Sequence, residues 1–424
     1  MKFSETIKNF KNRIKGLLTH ELIRYAIIIH LFYFFLSIIL CLVFFREQND
    51  FLIFYKAGNL FRTDITGLYN PENYIILDQA WNFRYFPLSA LLFVPFSLID
   101  FNSAYIIFTL SNLMLNLLIC ILIYKIIALI NEEKDDRKVI KYISIFLMST
   151  LHIYNYILGQ INLYITLLIL ISLFIFLKYN DIKWQLIGSV ILGISILIKP
   201  ITICIIPFLL VLQYNFKLKT FTFDLKKSSI RLIGALIPVS LNLIIFFRYP
   251  VLLNGFLEAN FSGDTPIIPN FSFSISKLIR NFYNLINVPF EQVQVLVLII
   301  LTAIVGGLGL IIFIIGNFNN NRIIYGYLFG ILIMLLVYFD SWNHHLLILT
   351  PILIMIMFEL NKGIEPAKKY VRYNFLFLSF LDLPFMLLWY LMQDVFPFNF
   401  AFTISLILIF YAISKFSLKS KEER

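Results

Sequence analysis

The sequence predicts an all-α integral membrane protein with about twelve transmembrane helices, and three observations predict it. Of 424 residues, 60% are apolar and 14% charged, where a soluble domain carries about 25% charged residues. Mean hydropathy is +0.85. Twelve apolar runs approach the roughly 20 residues that a helix needs to cross a bilayer. Of the 35 Lys and Arg, against 24 acids, most fall on one set of alternate connections between those runs. A water-soluble globular protein is excluded. The basic balance is that of a membrane protein with cytoplasmic Lys and Arg, so nucleic acid is not expected as a partner, whereas membrane lipids are.

The elements follow in order. Residues 1–24 hold Lys2, Lys8, Lys11, Arg13 and Lys15, and no small-residue cleavage site follows the first apolar run. This reads as a cytoplasmic N-terminus and an uncleaved anchor. The runs lie at 25–45, 103–130, 140–158, 162–178, 184–199, 200–214, 231–247, 291–316, 323–339, 346–360, 375–392 and 398–414. Lys199-Pro200 alone separates the fifth from the sixth. Proline lacks a donor and disfavours helix in the residue before it, so a tight hairpin is expected there, one kinked helix being the alternative. With the hairpin, 27 of the 35 cations share one side. The other side holds Arg46, Lys56, Arg62, Arg84, Lys199, Arg248, Lys277 and Arg280. Both termini, including the tail 415–424, are then cytoplasmic.

The outer connections are unequal. Residues 46–102 form a first outer loop in which Phe51, Phe54, Tyr55 and Phe61 recur at helical spacing among charges, as in interfacial helices lying on a membrane. Residues 87–99 are apolar but too short to span. A second long outer loop, 248–290, contains Asn260-Phe261-Ser262 and Asn270-Phe271-Ser272, which match the glycosylation pattern. Cys41, Cys120 and Cys204 sit in apolar runs without metal or disulfide spacing,.

Polar residues beside apolar runs are expensive and tend to be functional. Asp50 at the outer end of the first span is a candidate general base, or a solvated acid at a helix exit. Arg84, between Phe83 and Tyr85, is a candidate phosphate ligand within an aromatic belt. Gly159-Gln160-Ile161-Asn162 is a tight turn whose Gln160 and Asn162 offer amides. Lys199 either neutralises a phosphate or snorkels to water. Asp340-Ser341-Trp342-Asn343-His344-His345 ends the ninth run, and His344 and His345 are catalytic or phosphate-binding candidates, or interface histidines. His152 reads as a core histidine with a hydrogen-bond partner. The predicted topology puts the whole polar set, apart from His152, at one depth on the outer side. That suits chemistry on a lipid-linked phosphate with a hydroxyl partner. A transporter or flippase of lipid-linked sugars would use the same cluster for binding.

These residues resemble a known family. The order Asp50, Tyr55, Ala57-Gly58, Gly67-Leu68-Tyr69, Phe83-Arg84-Tyr85-Phe86-Pro87-Leu88, Gly159-Gln160-Ile161-Asn162, Lys199-Pro200, Trp342 and His344-His345 is similar to glycosyltransferase family 87. The resemblance spans about residues 25–360, and 50–95 with the Gly-Gln-Ile-Asn turn is its specific part. It implies a C-type membrane glycosyltransferase fold with the active site outside. It also implies a polyprenyl-phosphate sugar donor, mannose by default, a lipid or glycan acceptor and inversion at the anomeric centre. Asp50 matches the family's first-loop base, and His344 or His345 its late histidine near the donor phosphate. No cofactor or metal is required by this chemistry, although a divalent metal at Asp50 stays compatible with it.

Overall fold

A computed structural model describes residues 20–46, 49–76, 79–215, 219–261, 272–290, 293–316, 318, 321–360, 365–380 and 400–419. Helix α1 covers Glu21–Val43, α2 Asp50–Thr63, α3 Phe101–Ile130, α4 Asp136–Met148, α5 Leu151–Ile157, α6 Asn162–Lys178 and α7 Ile182–Ile198. Further along, α8 covers Leu225–Arg248, α9 Pro250–Phe261, α10 Ile275–Leu285, α11 Gln294–Ile315, α12 Arg322–Val337, α13 Leu346–Glu359, α14 Glu365–Phe380 and α15 Ala401–Lys419. The described strands are two small antiparallel pairs, β1 (Ile75–Ile76) with β2 (Gln79–Ala80) and β3 (Leu212–Asn215) with β4 (Thr220–Phe223).

Among the described residues, α1, α3, α8, α11 and α15 are long and apolar enough to cross a membrane. They are also the helices with apolar faces bare of protein. Phe32, Phe35 and Ile39 on α1, Ile107 and Leu118 on α3, Phe247 on α8 and Ile299 on α11 are exposed. Lipid, not water, is the solvent those faces suit. Helices α12 and α13 are the reverse: residues 324–337 and 346–357 are buried throughout, so they form the centre. The protein is a helical membrane protein.

Several runs read as single spans are divided. The run 140–158 breaks into α4 and α5 at Ser149-Thr150, where Ser149 takes an extended ψ of 132° and both hydroxyls donate to Ser379 O. The run 200–214 contains no α-helix. Residues Pro200–Leu209 form a 3-10 helix and β3 follows. The chain does turn back at Lys199-Pro200: Arg231 donates from Nε to Gln185 Oε1 and from Nη1 to Leu209 O, so residues 185 and 209 share one level. A 3-10 helix rises about 2.0 Å per residue and an α-helix about 1.5 Å. Ten residues of the first therefore return about as far as fourteen of α7 advance. Of the run 375–392, the part beyond Phe380 lies outside the described residues, as do residues 1–19 and 420–424 of the expected cytoplasmic ends.

Helix α7 packs closely on α8. A Cβ on Gly193 would strike Ala235 O, and one on Gly234 would lie 2.7 Å from Ser189 Cβ. In the first outer loop α2 forms as expected, and its apolar face turns into the protein. Phe51 and Phe54 are buried, stacked on Phe108 and Phe93 with ring centroids 4.6 and 4.7 Å apart. Burying these rings gains about 2–3 kcal/mol each, which ties the loop to α3 and to the 3-10 segment Pro87–Phe93. His152 is a core histidine as expected, hydrogen-bonded through Nε2 to Phe146 O at 3.0 Å. The three cysteines are free thiols.

Candidate active site

Asp50 is the first residue of α2. Its neighbour Asn49 caps that helix by accepting from Phe51 N at 2.7 Å. The Asn49 amide donates to Cys41 Sγ on α1 and to Ile157 O on α5. One buried asparagine thus pins the start of α2 between two helices, and the helix N-terminus favours a carboxylate at this place.

Gly159 builds the next part. Its φ is +62°, a conformation that glycine adopts without steric cost. A Cβ there would also lie 2.6 Å from Asn49 Oδ1. This turn carries Gln160 to Asp50, where Gln160 Nε2 donates to Asp50 Oδ2. A polar chain runs on from that pair. Gln160 O accepts from Asn155 Nδ2 at 3.2 Å, Asn155 Oδ1 accepts from Asn162 Nδ2 at 3.2 Å, and Asn162 Oδ1 accepts from Lys199 Nζ at 2.7 Å. Lys199 is 4% exposed, which does not fit an ammonium that only reaches for water.

A third part comes from far away in sequence. Arg84 Nη1 donates to Asp340 Oδ2 at 3.0 Å in an ion pair. Asp340 Oδ1 accepts from Trp342 Nε1. His344 and His345 lie in a 3-10 turn, Asn343–His345, with rings 4.4 Å apart. His345 Nδ1 accepts from Trp342 N at 3.0 Å, which leaves the proton of a neutral ring on Nε2.

These parts enclose one cavity of about 130 Å³. Asp50, Arg84, Tyr85, Gln160, Lys199, His344 and His345 all line it. Asn162 does not reach the wall and stands behind Lys199. Sequence reasoning passed over Asp340, Tyr338, Trp81, Asn82 and Asn260, which also line it. The only signal for Asp340 was its place in the same segment as the histidines. Asn260 donates from its amide nitrogen to Phe256 O at 2.9 Å and to Arg84 O at 3.3 Å. Ser262, and Asn270 and Phe271 of the second sequon, lie outside the described residues.

Electrostatics divides the cavity. Burial pushes the Asp50 carboxyl up to about 6, against the Gln160 hydrogen bond, which lowers it. Burial foremost, and the Asp50 charge next, hold the Tyr85 phenol well above 10. Burial alone would lower Arg84, but the facing Asp340 overrides it and the guanidinium goes up. Burial, then the Lys199 charge, hold both histidines well below 6.5. Burial lowers the Lys199 ammonium to about 7, against the Asp340 and Asp50 charges, which raise it. At neutral pH the histidines are hydrogen-bonding groups, Arg84 carries a fixed positive charge, and Lys199 is poised to take up a proton beside an anion. Gln160 Oε1 and Asn82 Oδ1 are buried without a protein partner. Two orphaned acceptors on a cavity wall fit a ligand rich in hydroxyls. Among the described residues no three His, Cys, Asp or Glu side chains group as a metal site. The cavity can hold a hydroxyl beside a carboxylate of tuned basicity and a phosphate beside two cations.

A sequence model described as glycosyltransferase family 87 matches residues 83–338. No curated protein and no solved structure matches the chain.

Proposed function

The chain belongs to glycosyltransferase family 87, a membrane glycosyltransferase family, and on that premise we propose that it moves a hexose, mannose by default, from a polyprenyl-phosphate carrier to a lipid or glycan hydroxyl. The acceptor oxygen attacks the anomeric carbon as the bond from that carbon to the phosphate oxygen breaks, inverting the centre. The acceptor proton passes to Asp50. The polyprenyl phosphate leaves with a second negative charge, which Lys199 and Arg84 stabilise where it develops. A neutral histidine at 344 or 345 donates to the same phosphate. Gln160 and Asn82 accept from sugar hydroxyls, and Tyr85 forms part of the sugar wall.

The observation that carries this reading is the polar chain from Lys199 through Asn162, Asn155 and Gln160 to Asp50. It holds a cation and a base on one wall in fixed relation, as a phosphate leaving group and an attacking hydroxyl require. A base near pKa 6 suits proton transfer at neutral pH better than a free aspartate at about 3.9. The proposal includes the C-type fold with about twelve spans, both termini cytoplasmic, and the cavity on the outer face of the plasma membrane. On that view the shorter apolar helices α6, α7, α12 and α13 are central spans that the longer ones shield from lipid.

The test is transfer by purified protein offered a panel of radiolabelled polyprenyl-phosphate sugars with native lipid extract. Label is expected in a new lipid or glycan product, and in none with Asp50→Asn. Binding of these donors without any transfer would favour the transporter reading instead.

A further inference from the structure

A second cavity, of about 660 Å³, lies away from the first. Helices α6, α7 and α12 each run from one to the other. Gln160, Lys199 and Tyr338 line the first, and Lys178, Asn180 and Arg322 line the second. At about 1.5 Å per residue, 16 or 17 residues put roughly 25 Å between them. The sugar-transfer chemistry makes no use of the second cavity.

Its wall carries four cations, Lys178, Lys227, Arg231 and Arg322, against one carboxylate, Asp224. That carboxylate is occupied as the cap of α8, accepting from Lys227 N at 2.8 Å. Arg231 is 7% exposed and held by Gln185, Leu209 O and the face of Phe176. It supplies fixed positive potential. Arg322 is different. One nitrogen donates to Phe313 O and its guanidinium covers the Phe313 ring, but its Nε is buried with no partner. Arg322 also opens α12, whose N-terminus has no side-chain cap, so the positive end of a 16-residue helix lies at the same place. Facing these groups are Phe208, Leu210, Phe223 and Phe313.

Surface cations that merely reach water need neither a buried guanidinium nor an orphaned N–H. A free anion would not need an apolar wall. We propose that this cavity binds the phosphate headgroup of an anionic membrane lipid, with the Arg322 guanidinium and Lys227, whose Nζ also donates to Asn180 Oδ1 at 2.6 Å, as its donors and the apolar wall against its chains. It would sit at the membrane face opposite the sugar-transfer cavity, where anionic headgroups meet basic pockets between helices.

The test uses the full chain in detergent, native mass spectrometry, and three probes: dioctanoyl phosphatidic acid, dioctanoyl phosphatidylcholine and inorganic phosphate. Phosphatidic acid is expected to be retained at least about tenfold better than phosphatidylcholine, and Arg322→Gln or Lys227→Gln to weaken it about tenfold, the loss of one charge-assisted hydrogen bond. Lys227 is half-exposed, so its variant folds even if Arg322→Gln does not. Lys199→Ala is expected to leave retention intact. Equal retention of both lipids, or no effect of either variant, overturns the proposal. So does loss in Lys199→Ala alone, which would place the lipid in the first cavity. Displacement by equimolar inorganic phosphate overturns the lipid as ligand.

Discussion

Asp50→Asn separates a chemical role from a structural one, because the two predict opposite stability changes. The folded protein raises the Asp50 pKa from 3.8 to about 6. The folded state thus holds that proton more tightly than the unfolded chain, so ionisation costs stability. The cost is absent below about pH 4, grows between pH 4 and 6, and is constant above. Two pKa units correspond to about 3 kcal/mol, and partial access of water to the cavity wall reduces this to about 2 kcal/mol. Asparagine removes the charge, while its amide oxygen still accepts from Gln160. The variant is therefore expected to be more stable at pH 8 by about 2 kcal/mol and equal to the parent at pH 4. With an unfolding entropy of about 2 cal/mol/K per residue, the midpoint at pH 8 rises by about 2 °C. Transfer of sugar from the polyprenyl-phosphate donor is expected to fall by at least about 10²-fold, the usual contribution of a general base. The parent's kcat/KM should rise with pH through about 6, as Asp50 ionises, and fall again above about 7, as Lys199 loses its proton,. A variant that transfers sugar within tenfold of the parent refutes the base assignment. One that is less stable at pH 8 refutes the electrostatic argument.

Other outcomes follow from the same geometry. Lys199→Ala removes a buried cation and leaves Asn162 Oδ1 unpaired; donor affinity, read by retention of a labelled polyprenyl phosphate, should fall at least about tenfold. Gly159→Ala forces a β-carbon onto Asn49 and Phe51 at a positive φ, costing about 1–3 kcal/mol, and its kcat should drop because Gln160 is displaced from Asp50. Asp340→Asn frees Arg84 from its ion pair; donor KM should shift more than that of an exposed control such as Asp135→Asn. A topology reporter at residue 220, in the β3–β4 hairpin, should read cytoplasmic, since the chain turns back at Lys199-Pro200.

Hydropathy is a sum over single residues, so it determined the class of this protein, the approximate positions of the helices and the polar residues that stand out among them. Seven of the eight proposed site residues line one cavity, and they stood out because polar groups beside apolar runs are costly. What the sum does not contain is the geometry of the backbone and pairs between distant residues. The break at Ser149-Thr150 depends on Ser379 accepting two hydroxyls, and the 3-10 course of Pro200–Leu209 on packing against α12, where Ile205 lies 2.7 Å from the place of a Cβ on Gly330. The Arg84–Asp340 clamp joins residues 256 apart. Sequence alone selected the class and the candidates, since transfer free energy is local. Tertiary structure decided which candidates meet, which stand behind them and what a second basic cavity is made of, since Coulomb forces and hydrogen bonds depend on distances that only the folded chain sets.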